Sequence, residues 1–224
     1  MKRWAPAVVV LVLLAATAVA FATTERQKLE KTPFAVVRVD DVLSPVCRCA
    51  RNAATIALRF RRKHVLTIEI LDARGRVVKT LAQEATVRDG VYSVRWHGRD
   101  NAGRKLPDGE YDPRFVLDNG RTFDPPNQIR VDSVAPTTRL LSYTPRRVDR
   151  GERVRIRYRV SEPAHPLLFV DGHRVIVGNA KALTAEIEWF ARLRPGRHRL
   201  QLAALDLAGN VGRRTPRFVV RIRR

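Results

Sequence analysis

The sequence is short of what an enzyme needs. Its five serines, Ser44, Ser93, Ser133, Ser142 and Ser161, stand in no nucleophile-elbow context. Its five histidines, His64, His97, His165, His173 and His198, fall mainly at strand ends or turns, and no HExxH, Walker or dinucleotide glycine motif occurs. The expectation is a noncatalytic protein without a cofactor. Cysteine is scarcer still. Cys47 and Cys49 are the only two, and no second pair of ligands accompanies them for zinc, so no metal is expected. Spaced i to i+2, they pair only if the chain bends locally, and otherwise remain free or link two molecules. Acidic residues are outnumbered, 22 Asp and Glu against 43 Lys and Arg, which leaves a formal charge of +21. Such a field draws polyanions, whether nucleic acid, anionic lipid headgroups or phosphate-rich wall polymers. An arginine-rich compositional bias over a solvated surface explains it equally well.

What is present, 45% hydrophobic residues in a chain of 224, suffices for sizeable cores. The one long apolar run stands at the start. Lys2 and Arg3 precede an uncharged stretch from Trp4 to Ala22, nineteen residues that as a helix span roughly 28 Å, close to the hydrocarbon thickness of a bilayer. Ala18-Val19-Ala20 and Ala20-Phe21-Ala22 both suit signal-peptidase cleavage, which would give a secreted protein. The run is longer than a usual signal-peptide core and passes directly into TTERQKLEK, which favours an uncleaved anchor. On that reading residues 1–31 are a cytoplasmic tip, a membrane helix over about 4–22 and a juxtamembrane segment. The protein is then a single-pass cell-membrane protein with its C-terminal part extracytoplasmic.

Beyond the leader the apolar period is two. Ile56, Leu58 and Phe60 share one face of ATIALRF, and Leu66, Ile68 and Ile70 share one face of the next run. VYSVRW turns Tyr92, Val94 and Trp96 inward, and a hairpin with its tip at Asp118-Asn119-Gly120 follows. No convincing long amphipathic helix occurs between Thr32 and Arg224. Polar residues and Pro136 interrupt the pattern over Arg130 to Arg139, after which it restarts. RVRIRYRV alternates Val154, Ile156, Tyr158 and Val160 with Arg153, Arg155, Arg157 and Arg159, and a hairpin at Asp171-Gly172 and further short strands follow. The expected fold is all-β: two tandem immunoglobulin-like sandwiches, 32–131 and 132–224, behind the N-terminal hydrophobic helix.

The segment RWHGRDNAGRKLPDGEY, Arg95 to Tyr111, joins two such strands by successive tight turns. With Asp72, Gly75 and Val78 ahead of it, it supplies Trp96, Gly98, Asp100, Gly103, Pro107, Gly109 and Tyr111 at a specific spacing. This set closely resembles the Ig-like module of flagellar hook-capping proteins and extracellular subtilisin-like proteases (FlgD/Vpr-type). The resemblance covers about Val42 to Val131 and implies structural roles for these residues. It departs at His97, where the family usually has an acid. It departs again at SPVCRCARNA, where Cys47 and Cys49 stand in place of an acidic loop, so the family's ion-binding possibility does not carry over.

The second half resembles bacterial surface Ig-like repeats through VDSVAPTTRL, the SEPA bend at Ser161 to Ala164, and LDLAGNVG, Leu205 to Gly212. Asp206 and Asn210 there read either as calcium ligands or, better, as turn residues. Arg153, Arg155, Arg157 and Arg159 form a ladder that would meet successive anionic groups, or else a solvated face. No aromatics are interleaved with them, so no sequence-specific nucleic acid is expected. The partners expected are the cytoplasmic membrane, through the helix, and an anionic envelope polymer or another surface protein. The structural alternative is a spacer or scaffold in a cell-surface assembly.

Overall fold

The computed structural model describes residues 12–17, 33–179 and 182–223. The anchor read over about 4–22 and the juxtamembrane stretch to 31 lie outside the described residues except for 12–17. Those six are helical, with Val12, Leu13 and Leu14 exposed. Among the described residues no helix is long and apolar enough to cross a membrane.

Alternation of apolar and polar residues makes the rest β-structure. The first unit contains β1 (Phe34–Val39), β2 (Val42–Leu43), β3 (Ala54–Phe60), β4 (His64–Leu71), β5 (Val77–Val87), β6 (Gly90–Trp96), β7 (Gly109–Leu117), β8 (Thr122–Phe123) and β9 (Ile129–Val131). One sheet has the order β1-β3-β6, and the facing sheet the order β2-β9-β7-β4-β5, with β8 paired to β7. Their inner faces close on Phe34, Ile56, Leu58, Phe60, Leu66, Ile68, Ile70, Trp96 and Phe115, all buried in one cluster. Every second residue of β3 and β4 points there, as the sequence pattern requires.

The second unit contains β10 (Thr138–Thr144), β11 (Arg147–Val148), β12 (Arg153–Val160), β13 (His165–Val170), β14 (His173–Val177), β15 (Thr184–Phe190), β16 (Gly196–Leu205) and β17 (Phe218–Ile222). The sheets run β10-β12-β15 and β11-β17-β16-β13-β14. Val154, Ile156, Tyr158, Trp189, Leu200, Leu202 and Val220 fill a separate core. The described residues from 33 onward form two β-sandwiches in sequence. At the β13–β14 tip Asp171 and Gly172 both take positive φ, 49° and 90°, the turn that matches strand twist.

The Arg95–Tyr111 segment is fixed as its residue types dictate. Trp96 is 1% exposed, packs edge-on to Tyr111 at 5.3 Å, and donates its indole N–H to the Arg99 carbonyl at 3.1 Å. Tyr111 Oη donates to the Pro107 carbonyl at 2.8 Å. Asp100 Oδ1 accepts from the Arg104 N–H at 2.8 Å, and Asp72 Oδ1 does the same for Arg74 and Arg76 at 2.9 and 3.0 Å. Both acids are turn residues. Gly98 sits at φ 66°, and a Cβ there would press on Leu43 at 2.9 Å, so a side chain is excluded twice over.

Candidate functional site

The two sandwiches meet around the turn 206–210. Asp206 Oδ1 accepts from the Asn210 N–H at 2.8 Å, its Oδ2 accepts from Asn210 Nδ2 at 2.8 Å, and Gly209 takes φ 93°. That is the turn reading of Asp206 and Asn210. The side chain of Asn210 also has a second task. Its Oδ1 accepts from Ser44 Oγ of the first sandwich at 2.6 Å, and its Nδ2 donates to the Asp132 carbonyl of the connecting segment at 3.0 Å. Ser44 and Asn210 are 0% and 5% exposed. A buried amide can satisfy both its donor and its acceptor sides only if the two units keep this geometry.

Cys47 and Cys49 form a disulfide in the loop after Ser44, with their Cα atoms 5.3 Å apart. The loop bends there, since Ser44 Oγ accepts from the Cys47 N–H at 3.2 Å. It lies against the second sandwich, where a Cβ on Gly209 would overlap the Cys49 sulfur, and a shallow basin of about 380 Å³ runs between Arg48, Ser133 and Val211. The connecting segment is itself held. Ser133 donates to both oxygens of Asp108, Thr137 exchanges backbone and side-chain bonds with Ser161, and a Cβ on Gly212 would collide with the Pro136 carbonyl.

Carboxylate oxygens of Asp132, Glu162 and Asp206 lie within 4.8 Å of one another at this junction. Three carboxylates alone do not make a cation site. Burial, then the neighbouring charges of Asp132 and Asp206, raise the Glu162 carboxyl above its ordinary value, against the pull of Arg130.

The arginine ladder takes the alternation expected of it. Arg153, Arg155, Arg157 and Arg159 are exposed while Val154, Ile156, Tyr158 and Val160, which alternate with them, are buried. The neighbouring strand β15 sets Glu188 opposite Arg155 and Glu186 opposite Arg157. Arg153 pairs with Glu188 at 2.9 Å, and Arg155 stands 3.9 Å from both glutamates. Arg157 and Arg159 have no carboxylate partner among the described residues, so the ladder is neutralised at one end only. Of the basic residues near the C-terminus, Arg223 pairs with Asp149 at 2.9 Å, whereas Arg217 and Arg221 are exposed. The histidines assemble no catalytic group. His198 Nδ1 is 2.7 Å from Asp171 Oδ2, and its Nε2 is 2.8 Å from the Arg194 carbonyl, which fixes the loop ahead of β16.

The roles of Ser44, Asp132 and Glu162 at the junction were not legible in sequence. The signal available was a pair of small polar residues flanked by turn formers, Ser44 before Pro45 and Asn210 after Gly209, which by itself reads only as local turn chemistry.

The fold has known likenesses. The fibronectin(III)-like modules of Clostridium thermocellum CbhA align at a TM-score of 0.44 and 15% identity, over 84% of this chain and 92% of that one. FlgD of P. aeruginosa aligns at 0.27 and 20%, over 42% of this chain and 63% of that one. The Yersinia pseudotuberculosis adhesin InvE aligns at 0.32 and 10%, over 86% and 59%. At these scores the alignments carry no argument. No curated protein sequence matches the chain. The family model of the FlgD Ig-like domain matches residues 53–119, the stretch from the start of β3 to the turn after β7 that carries Asp72, Trp96, Asp100 and Tyr111. Over residues 53–119 the chain is therefore similar to the FlgD Ig-like domain, and the match does not extend to the rest of the chain.

Proposed function

We propose that the protein is a noncatalytic extracytoplasmic scaffold, held at the cell membrane by the segment 4–22, in which two Ig-like domains, 32–131 and 132–224, form one stiff spacer. The observation that carries this reading is the buried bond from Ser44 Oγ to Asn210 Oδ1, with the Asp132 carbonyl on the other side of the same amide. A display module joined by a free linker has no use for such a contact, whereas here opening the joint exchanges the bond for water and forfeits about 0.5–1.5 kcal/mol for each bond lost. Topology supports a spacer as well. β1 begins at Phe34 paired with Phe60, at the end of its sheet remote from Ala54, so Phe34 stands at the end of the first sandwich opposite the second.

A second role, docking of an anionic envelope polymer on β12, is favoured by Arg159, which faces Thr184, and by Arg157, which makes no ion pair with Glu186 opposite it among the described residues. Cell fractionation tests the scaffold reading. The full chain is expected in the membrane pellet after alkaline carbonate washing, with its C-terminal part digested by protease added from outside. Recovery in the soluble cytoplasm overturns it, and a mature N-terminus near Phe21 or Thr23 by mass spectrometry replaces the anchor with a cleaved leader.

A further inference from the structure

At the far end of the second sandwich three arginines stand in one row. Arg147 of β11 is in register with Arg221 of β17, and Arg221 is in register with Arg197 of β16. Val148, Ile222 and Leu200 of the same strands enter the core, so the three guanidinium groups share the outer face of the five-stranded sheet, and all three residues are exposed. With strands about 4.8 Å apart the row spans about 10 Å. Like charges placed directly opposite on adjacent strands destabilise a sheet. On β12 and β15 the chain answers its arginines with Glu186 and Glu188. In this row it does not: none of Arg147, Arg197 and Arg221 has a side-chain ion pair or hydrogen bond among the described residues, and the nearby Asp149 is engaged by Arg223. The row borders a basin of about 480 Å³ walled by Pro195, Gly196 and Arg223. The loop that forms this wall is fixed by His198, which bonds the Arg194 carbonyl at 2.8 Å.

We propose that this row is a binding site for a linear phosphate-bearing polymer of the envelope, which lies across the three strands and supplies the missing negative charge. The proposal rests on the extracytoplasmic scaffold reading and names the partner that the scaffold holds. Three features select the polymer. Guanidinium groups bind phosphate oxygens in bidentate fashion, and a row of them fits charges repeated along a chain. No aromatic side chain stands in the row, so nothing there stacks on a nucleobase. The row also lies at the end away from the junction, where β16 begins and β17 ends, while Phe34, where the N-terminal segment joins the first sandwich, stands at that sandwich's end remote from the junction. A scaffold anchored by that segment therefore points its arginine row away from the membrane that holds it.

The test uses the full chain in neutral detergent and immobilised long-chain polyphosphate as the probe. Wild-type protein is expected to be retained, with retention falling steeply as salt rises. The triple variant Arg147→Gln, Arg197→Gln, Arg221→Gln is expected to bind about tenfold or more weakly and to flatten the salt slope by on the order of 2. Its Tm without polymer is expected to equal or exceed the wild-type value, because repulsion is removed, and single Arg221→Gln serves as the milder variant if the triple misfolds. Unchanged retention by a folded triple variant overturns the proposal. So does loss of wild-type binding to competing micelles doped with anionic phospholipid at equal phosphate, which would make the site a lipid-docking surface. The variant Arg155→Gln, Arg157→Gln, Arg159→Gln is run beside it. If that variant loses binding and the row variant does not, the row proposal fails while polymer docking on β12 stands. If wild-type protein is not retained at all, polymer binding fails for both surfaces.

Discussion

Ser44 Oγ donates to Asn210 Oδ1 at 2.6 Å across 166 positions of sequence, and both side chains are buried. The first sandwich thereby depends on a turn of the second. Asn210→Ala leaves the Ser44 hydroxyl and the Asp132 carbonyl without their partner, which is expected to cost about 2–3 kcal/mol. Ser44→Ala removes the bond to Asn210 together with those its hydroxyl accepts from the Val46 and Cys47 N–H groups, and should cost about 1–3 kcal/mol. Thermal unfolding measures both, and an Asn210→Ala loss no larger than that of an exposed asparagine such as Asn101 would contradict the role given to the contact.

Trp96→Ala should cost about 3–5 kcal/mol, because a fully buried ring is lost from the first core along with its contact to Tyr111. Tyr111→Phe should cost only about 1 kcal/mol, the bond to the Pro107 carbonyl. Denaturant titration distinguishes the two, and equal losses would mean that the motif acts through its hydrogen bonds rather than its packing.

Glu162 gives the junction a pH dependence of defined sign. Its folded value is raised above the ordinary 4.5, so its favourable contribution is full below that pH and is lost as pH rises through the folded value. Glu162→Gln should therefore raise Tm relative to wild type at pH 7, and the gain should vanish below pH 4.5. A gain that is constant with pH, or one that grows in acid, would contradict the account.

Replacing Arg155, Arg157 and Arg159 with Gln should leave Tm nearly unchanged, since all three are exposed and the ion pairs of Arg155 are long and open to solvent. If β12 docks a polyanion, the same change weakens retention on an anionic matrix at low salt and has little effect at high salt. Identical elution of variant and wild type would reduce the ladder to a solvated face.

The sandwich fold was legible because a period of two is written plainly in β12, where buried and exposed residues alternate strictly, and in β3, β4 and β6, where the residues packed on the core recur at every second position. Other strands were hidden. β1 and β10 lie at sheet edges and bury little, so FAVVRV and TRLLSYT show no clean alternation. β5 runs from Val77 to Val87 without a clean alternation, because Glu84 at φ 47° and shifts in its pairing with β4 break the pattern. The turn acids Asp72 and Asp100 were readable, since each bonds within four residues of itself. The junction and the distal arginine row were not. Ser44 meets Asn210, and Arg147 meets Arg221, only through strand order and register, which no local stretch of sequence encodes.

Solution X-ray scattering on residues 33–224 tests the central claim, a single stiff spacer, most directly. Wild-type protein should scatter as one rigid particle whose curve is reproduced by the two sandwiches in the arrangement fixed by Ser44 and Asn210, while Asn210→Ala should broaden the distribution of distances. A wild-type curve that requires an ensemble of interdomain angles, indistinguishable from that of Asn210→Ala, would contradict it.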